Sequence, residues 1–82
     1  MDRTITFAYV QGGMRTEISI RPIELRMSNP TFRIADDNWF LGYVERVSPF
    51  EYRNISNKEI DENILSRVIK TIENVYFRKT RH

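Results

Sequence analysis

The most informative stretch of this chain for its fold is Asn38-Trp39-Phe40-Leu41-Gly42-Tyr43-Val44. Aromatic and branched side chains fit the pleated surface of a β-strand, so this stretch is predicted to be a strand that carries large side chains on both faces. One face is expected to enter the core. The other is expected to offer Phe40, and Val44 beyond the small Gly42, to a second layer, a ligand or a partner.

The residues before this stretch predict an antiparallel hairpin. Apolar and polar residues alternate over residues 4–10, which is the pattern of a half-buried strand. The pair Gly12-Gly13 supplies the positive φ angles of a tight turn, so residues 14–20 are predicted to return antiparallel. Pro22 cannot donate a hydrogen bond to a sheet ladder, so the second strand is predicted to end or kink there.

Three further strands are predicted after the hairpin. Residues 31–34 and 39–47 should pair around Asp36 and Asp37, whose short polar side chains are typical of turns, and a last strand should follow over residues 50–55. Five short strands in so few residues favour a curled sheet or small barrel, because a flat sheet would leave long edges unprotected. The predicted fold class is therefore α+β, with a small antiparallel five-stranded β-barrel or curled sheet and one C-terminal α-helix.

After residue 55 the apolar pattern takes the period of a helix. Ser56 and Glu59 have the spacing of a capping box, so a helix is predicted to begin here and to run to residue 78. Its apolar residues recur at three- and four-residue steps and form one stripe: Ile60, Ile64, Leu65, Val68, Ile69, Ile72, Val75 and Tyr76. The stripe is predicted to pack on the sheet, and the alternative is that part of it forms a two-fold dimer seam.

Length and composition are those of a small globular domain. The 82 residues are predicted to form a single domain, with the β region in residues 1–55, the helix in residues 56–78 and a basic tail in residues 79–82. The sequence has no cysteine, which fits a reducing compartment. No apolar run reaches the roughly 20 residues of a membrane-spanning helix, and the residues after Met1 lack the apolar segment of a secretory signal. We therefore expect a soluble, cytoplasmic protein without membrane contact.

The sequence offers little support for catalysis. The only histidine, His82, is the last residue, where no surrounding side chains would orient it as a base. Gly12-Gly13 lacks both the pattern and the following helix of a phosphate-binding loop. Asp36 and Asp37 are adjacent and should point apart, so they do not predict a metal site. We expect a protein that is not an enzyme and that holds neither a metal nor a cofactor.

The distribution of arginine and aromatic residues favours an anionic ligand. Arginines lie on or beside the predicted strands at Arg15, Arg21, Arg26, Arg33, Arg46 and Arg53, and aromatic residues lie among them at Tyr9, Phe32, Phe40, Tyr43 and Tyr52. Guanidinium groups pair with phosphates, and aromatic faces stack bases. We therefore predict a regulatory module that binds nucleic acid or a nucleotide-type ligand. The predicted ligand-binding residues are Arg15, Arg21, Arg33, Phe40 and Arg53.

Two alternatives stay open on the sequence alone. Acidic residues accompany these arginines, so much of the charge can form weak surface ion pairs, and a core this small needs most of the aromatic residues. In the alternative to ligand binding, the chain is a protein–protein interaction module, either a homodimer or an inhibitor or adaptor of a larger protein. It would bind through the helix stripe or an exposed strand face.

The excess positive charge of the tail comes from Arg78, Lys79 and Arg81, and it fits either a phosphate surface or a solvated terminus.

The strand region resembles a WYL domain, a small SH3-like or Sm-like β module named for a Trp-Tyr-Leu run that corresponds here to Trp39-Phe40-Leu41. The resemblance covers residues 4–56 and includes Ile5-Thr6-Phe7-Ala8-Tyr9, Gly12-Gly13, Ile20-Arg21-Pro22-Ile23-Glu24-Leu25 and Trp39-Phe40-Leu41-Gly42-Tyr43. It implies a module of bacterial transcription regulators or of phage and CRISPR defence, which binds nucleic acid or nucleotide-like ligands through exposed basic and aromatic residues.

The last strand departs from that family. WYL domains commonly carry a Phe-Arg-Leu-Asp-Arg-Ile segment there, and this chain has Tyr52-Arg53-Asn54-Ile55-Ser56-Asn57. Either alignment of the two segments leaves at least one ligand-contacting arginine missing. The sequence also has no winged-helix region ahead of the module, so the resemblance implies the binding module without the DNA-binding part of a complete regulator.

Overall fold

The computed structural model describes residues 4–25, 29–37 and 39–78. Five strands are followed by a helix: β1 (Ile5–Gln11), β2 (Met14–Glu24), β3 (Thr31–Asp36), β4 (Trp39–Ser48), β5 (Glu51–Asn54) and α1 (Glu62–Ile72). The helix continues directly into a short π-helical segment, Glu73–Phe77. The predicted basic tail at residues 79–82 lies outside the described residues, as do Arg26 and Asn38.

The strands form one antiparallel meander, in which each strand pairs with the next along the chain. The predicted hairpin is confirmed, since Gln11 pairs with Met14 and the turn residues Gly12 and Gly13 have φ angles of 59° and 80°. β1 and β5 are the two outer strands of the described sheet, so the sheet stays open. The α+β prediction is therefore confirmed as a curled sheet with a C-terminal helix, and the described strands do not close into a barrel.

Of the two outcomes predicted at Pro22, an end or a kink of β2, the strand does not end there. β2 continues to Glu24, and Pro22 is buried opposite Phe32. The register shifts directly after the proline, where Ile23 is an extra residue between two paired positions. A bulge of this kind lets the strand bend and continue past a residue that cannot donate to the ladder.

The core lies between one face of the sheet and α1. It consists of Tyr9, Ile18, Ile20, Phe32, Ile34, Val44, Ile60, Val68 and Ile72. Alternation along each strand places these side chains on one face, and each large apolar side chain that is fully buried contributes roughly 1.5–3 kcal/mol. The predicted docking of the helix stripe is confirmed for Val68 and Ile72, which are fully buried, whereas Val75 remains exposed.

The helix begins later than the capping-box spacing predicts. α1 starts at Glu62, and its N-cap is Asp61, whose carboxylate accepts hydrogen bonds from the Asn63 and Ile64 amides. Ser56 lies in the preceding loop, where its hydroxyl accepts a hydrogen bond from the Tyr43 amide. The hydroxyl of Ser56 is therefore engaged with β4, which leaves the capping role to Asp61.

One side chain of α1, Arg67, contacts the outer strand β1. Arg67 Nη2 donates to the Ala8 carbonyl at 3.3 Å, and the Arg67 guanidinium carbon lies 4.7 Å from the centre of the Phe7 ring. An uncovered edge strand is a template for pairing with other chains, so a cation bonded to its carbonyl protects it. Because the helix packs on one face of the sheet, the opposite face is left open.

Candidate functional site

A β-bulge in β4 decides which side chains reach the open face of the sheet. Ile34 pairs with Gly42 and Ala35 pairs with Phe40, so Leu41 is an extra residue in β4. Successive strand residues point to opposite faces, and one extra residue therefore places Phe40 on the same face as Tyr43. The expectation that Val44 shares a face with Phe40 is wrong, because Val44 is fully buried in the core.

Four side chains on this open face form an arginine–aromatic patch: Arg21, Arg33, Phe40 and Tyr43. Arg21 pairs with Arg33 and Arg33 pairs with Tyr43, so these three lie in one row across β2, β3 and β4. The Arg33 guanidinium carbon lies 5.1 Å from the centre of the Phe40 ring. The Phe40 and Tyr43 rings are 5.0 Å apart between centroids and inclined at 59°.

The charge of the patch has no acidic partner among the described residues. The two described ion pairs involve other arginines, Arg46 and Arg53. Arg21 and Arg33 are direct cross-strand neighbours, and like charges in this arrangement repel each other. A bound anion would relieve that repulsion, so the arrangement favours phosphate or carboxylate ligands.

A cleft of about 400 Å³ adjoins the patch, lined by Phe40, Tyr43, Ile55, Ser56, Asn57 and Lys58. Its volume falls within the range of small-molecule sites. Lys58 is the cationic residue of this lining, and its Nζ lies 3.4 Å from the Phe40 carbonyl. The cleft therefore combines an aromatic wall with an ammonium group.

Two hydrogen bonds with the Tyr43 backbone hold the loop wall of this cleft close to β4. The Tyr43 amide donates to Ser56 Oγ at 3.3 Å, and the Ile55 amide donates to the Tyr43 carbonyl at 3.0 Å. Gly42 makes this approach possible, because a Cβ there would lie 2.5 Å from Ser56 Oγ. The glycine beside the aromatic residues is therefore required for the shape of the cleft.

Of the five predicted ligand-binding residues, the structure brings Arg21, Arg33 and Phe40 together. Arg53 lies beside the patch, but its guanidinium binds Glu45 Oε1 at 2.8 Å and its charge is compensated. The hydrogen bond from Arg53 lowers the pKa of Glu45. Arg15 lies six residues before Arg21 in β2, which is about 20 Å along an extended strand, so it is not part of the patch.

Sequence reasoning did not select Tyr43 or Lys58 for the site. Tyr43 shares the open face with Phe40 only because of the bulge at Leu41, and the sequence signal for the bulge is the small Gly42 between Phe40 and Tyr43. Lys58 comes from a loop that was predicted to be helix. Trp39, which opens the WYL-like run, is 72% exposed and pairs with Asp36 at the end of the sheet, away from the patch.

A second charged cluster, centred on Glu73, joins the helical segment to the sheet. Glu73 accepts hydrogen bonds from the side chains of Arg46 and Tyr52 and from the Phe50 amide. The Arg46 guanidinium carbon also lies 3.9 Å from the centre of the Phe77 ring. Arg46 is thus bound internally, and the sequence signal for this cluster is an acidic residue within an apolar helix stripe.

This network shifts the pKa values of Glu73, Tyr52 and Arg46, and the hydrogen bond to Glu73 is the main cause of the raised pKa of Arg46. Hydrogen bonds from Arg46 are the main cause of the lowering of the Glu73 pKa to about 2. Burial is the main cause of the raised pKa of Tyr52. Both carboxylate oxygens of Glu73 accept hydrogen bonds from groups of the same chain, so the cluster ties the helical segment to β4 and β5.

The adjacent aspartates serve the turn between β3 and β4. Asp36 Oδ1 accepts a hydrogen bond from the Trp39 amide at 3.1 Å, and Asp37 accepts hydrogen bonds from Thr16 and from the Glu17 amide. Among the residues that the structure describes, no group of three or more acidic or histidine side chains could hold a metal ion.

Comparison of the chain with protein-family models, with curated proteins and with solved structures finds no match. Within the described ranges, neither α1 nor the π-helical segment has the length and apolar character of a helix that crosses a membrane. The geometry of the arginine–aromatic patch is therefore the basis for a functional proposal, and the resemblance to WYL domains remains a prediction.

Proposed function

We propose that this protein is a non-enzymatic regulatory module that binds nucleic acid or a nucleotide-type ligand on the arginine–aromatic patch. One observation carries the proposal: the guanidinium of Arg33 lies over the Phe40 ring, beside Tyr43 and Arg21, with no carboxylate partner among the described residues. Stacking surface and uncompensated positive charge are the two features that single-stranded nucleic acids require of a protein.

Each part of the patch has a role in this proposal. Phe40 and Tyr43 stack bases, and base stacking on an aromatic side chain contributes about 1–3 kcal/mol per base. Arg21 and Arg33 pair with phosphate oxygens, and Lys58 adds an ammonium at the neighbouring cleft. Arg53 can join them only by exchanging Glu45 for a ligand, and Arg15 is too distant to contact the same nucleotide.

The resemblance to WYL domains supports the same class of ligand. It implies exposed basic and aromatic residues as the binding groups, and Arg21, Phe40 and Tyr43 all fall within the segments that carry the likeness. In this proposal the protein acts in the regulation of transcription or in phage or bacterial defence, by occupying a strand of nucleic acid or a signalling nucleotide.

A salt-dependent titration tests the proposal. Labelled single-stranded oligonucleotides and cyclic nucleotides are titrated with the wild type and with Arg33→Gln at two salt concentrations. Affinity should fall as salt rises, and loss of one phosphate contact should reduce the slope of log K against log salt by about 0.7 for a single strand. Arg15→Gln is the matched control, since it removes the same charge away from the patch. Equal losses of affinity in both variants, or an affinity that does not change with salt concentration, would contradict binding at the patch.

A second candidate function is a protein–protein interaction module. One observation favours it: Phe50 is 64% exposed, in the turn between β4 and β5, beside a groove along α1. This surface shares no residue with the arginine–aromatic patch, so the two functions can be tested separately. Loss of oligonucleotide binding in Arg33→Gln would support the first function. Loss of binding to a partner protein on substitution of Phe50 would support the second.

A further inference from the structure

Phe50 has a strained backbone conformation and an exposed side chain. Its φ angle is 63°, and among the described residues it is the only one other than glycine with a positive φ. A bulky residue rarely adopts this left-handed conformation, which glycine or asparagine fits far better. The strain is held in place by Glu73, whose Oε2 accepts the Phe50 amide hydrogen bond at 3.2 Å. The exposed ring gains little from the fold itself, which indicates that its contact lies outside the chain.

The ring stands at the edge of a groove of about 410 Å³ along α1. The other lining residues are Glu62, Leu65, Ser66, Ile69 and Lys70. The floor is apolar and half-buried, at Leu65 and Ile69, and the two ends are charged and exposed. These five positions recur at three- and four-residue steps, so they form a single face of the helix.

The charges on this face are complementary to those of a second copy of the same face. Glu62 lies four residues before Ser66 and Lys70 lies four residues after it. When two such helices cross antiparallel at Ser66, each Glu62 faces Lys70 of the second copy, and the small serine lets the helices approach closely. A two-fold interface requires this self-complementarity, because the same surface is used on both sides.

We infer that the protein forms a two-fold homodimer through this face, with Ser66 at the axis, Leu65 and Ile69 in the seam and the two Phe50 rings buried at its flanks. The strained turn at Phe50 is then explained, since it holds an aromatic anchor beside the apolar floor before the second copy arrives. The seam shares no residue with the arginine–aromatic patch, so the dimer would carry two open patches and could bind one strand at two points.

Charge variants test this arrangement by sedimentation velocity over a concentration series that reaches the millimolar range. The wild type should dimerise, and E62K and K70E should each raise the dimer dissociation constant at least about tenfold, because each puts two like-charged pairs in the seam. An equimolar mixture of E62K and K70E should recover dimers, since all pairs between the two variants are then opposite in charge. Circular dichroism confirms that each variant keeps its helix.

Phe50→Asn provides a second, independent variant. Asparagine tolerates the left-handed conformation, so the thermal midpoint should be unchanged or higher, while removal of the ring should raise the dimer dissociation constant about tenfold. A wild type that stays monomeric over the whole series, or single charge variants that dimerise as well as the wild type, would overturn the inference. So would a mixture of E62K and K70E that fails to recover dimers. Oligonucleotide binding is also measured with the monomeric variants. A protein that fails to dimerise is thereby distinguished from one that fails to bind nucleic acid.

Discussion

Glu73 and Arg46 form a two-point ion pair that joins the C-terminal helical segment to β4. Arg46 Nε donates to Glu73 Oε2 at 2.7 Å, and Arg46 Nη2 donates to Glu73 Oε1 at 3.1 Å. The Glu73 side chain is only 6% exposed, so the pair is shielded from water. The pair therefore helps to keep the helix on the core face of the sheet, which leaves the opposite face open.

Loss of the Glu73 charge should destabilise the fold strongly. Glu73→Gln keeps the size of the side chain but leaves the Arg46 guanidinium without its anion. Removal of one partner of a buried ion pair typically costs about 3 kcal/mol or more, so we expect a fall of that size in the free energy of unfolding. Urea denaturation followed by circular dichroism measures it.

Glu45→Gln is the control for that experiment. It breaks the second ion pair, in which the Arg53 side chain is 63% exposed, and exposed pairs contribute little. The urea midpoint should therefore stay close to that of the wild type. Equal destabilisation by the two substitutions would contradict the structural role assigned to Glu73.

Acid should weaken the fold through the same carboxylate. The pKa of Glu73 falls from 4.5 to about 2 on folding, chiefly through its hydrogen bonds with Arg46. Since the pKa is lower in the folded state, the stability that this group contributes is complete above pH 4.5 and is lost as the pH falls toward 2. We expect the urea midpoint of the wild type to decrease over this window and that of Glu73→Gln to decrease less. The same pH dependence in both proteins would refute this assignment.

A methyl group at Gly42 should disturb both the fold and the cleft. In Gly42→Ala the new Cβ would lie 2.5 Å from Ser56 Oγ, and the backbone φ of 155° is unfavourable for alanine. We expect a loss of about 2 kcal/mol or more in the free energy of unfolding, and weaker ligand binding, because the loop wall must shift.

The matched control is Gly13→Ala in the first hairpin. Gly13 also has a positive φ, of 80°, but a Cβ there would meet nothing within 4 Å. We expect Gly13→Ala to lower the free energy of unfolding by about 1 kcal/mol, through conformational strain alone, and to leave ligand binding unchanged. A larger loss of stability in Gly13→Ala than in Gly42→Ala would show that the close approach of Ser56 to Gly42 does not matter.

Stacking predicts a specific role for the Phe40 ring. Phe40→Leu keeps apolar bulk on the open face and removes the aromatic surface under Arg33. We expect affinity for single-stranded oligonucleotides to fall about tenfold, within the range of one lost base stack. Trp39→Leu is the control, because Trp39 is an exposed aromatic residue that lies off the patch. Equal losses at both positions would indicate nonspecific aromatic binding.

Much of the fold follows from local pattern. The alternation in β1, the Gly12-Gly13 turn and the stripe with Val68 and Ile72 each depend on neighbours in sequence, and the structure confirms them. The start of α1 could not be predicted in the same way. Ser56 and Asp61 are both good N-caps, and the choice between them depends on the contact of Ser56 with β4, which is remote in sequence.

The candidate site depends even more on tertiary structure. Arg21, Arg33 and Phe40 were selected by residue type, but the register that pairs Arg21 with Arg33 and the bulge at Leu41 that brings Phe40 to the face of Tyr43 are tertiary features. The one sequence signal for the bulge is Gly42. The same reasoning could not separate compensated from uncompensated arginines. Arg53 has the residue type of a ligand contact, and only the cross-strand register shows that Glu45 neutralises it.

The location of the ligand is the central claim, and backbone amide chemical-shift mapping tests it most directly. A single-stranded oligonucleotide is titrated into the ¹⁵N-labelled protein, and amide shifts are followed for the whole chain. We expect the largest shift changes at Arg21, Arg33, Phe40, Tyr43 and Lys58, and no change caused by the ligand itself on the helix face around Ser66. Shifts confined to the α1 groove, or the absence of any shift at saturating oligonucleotide, would contradict it.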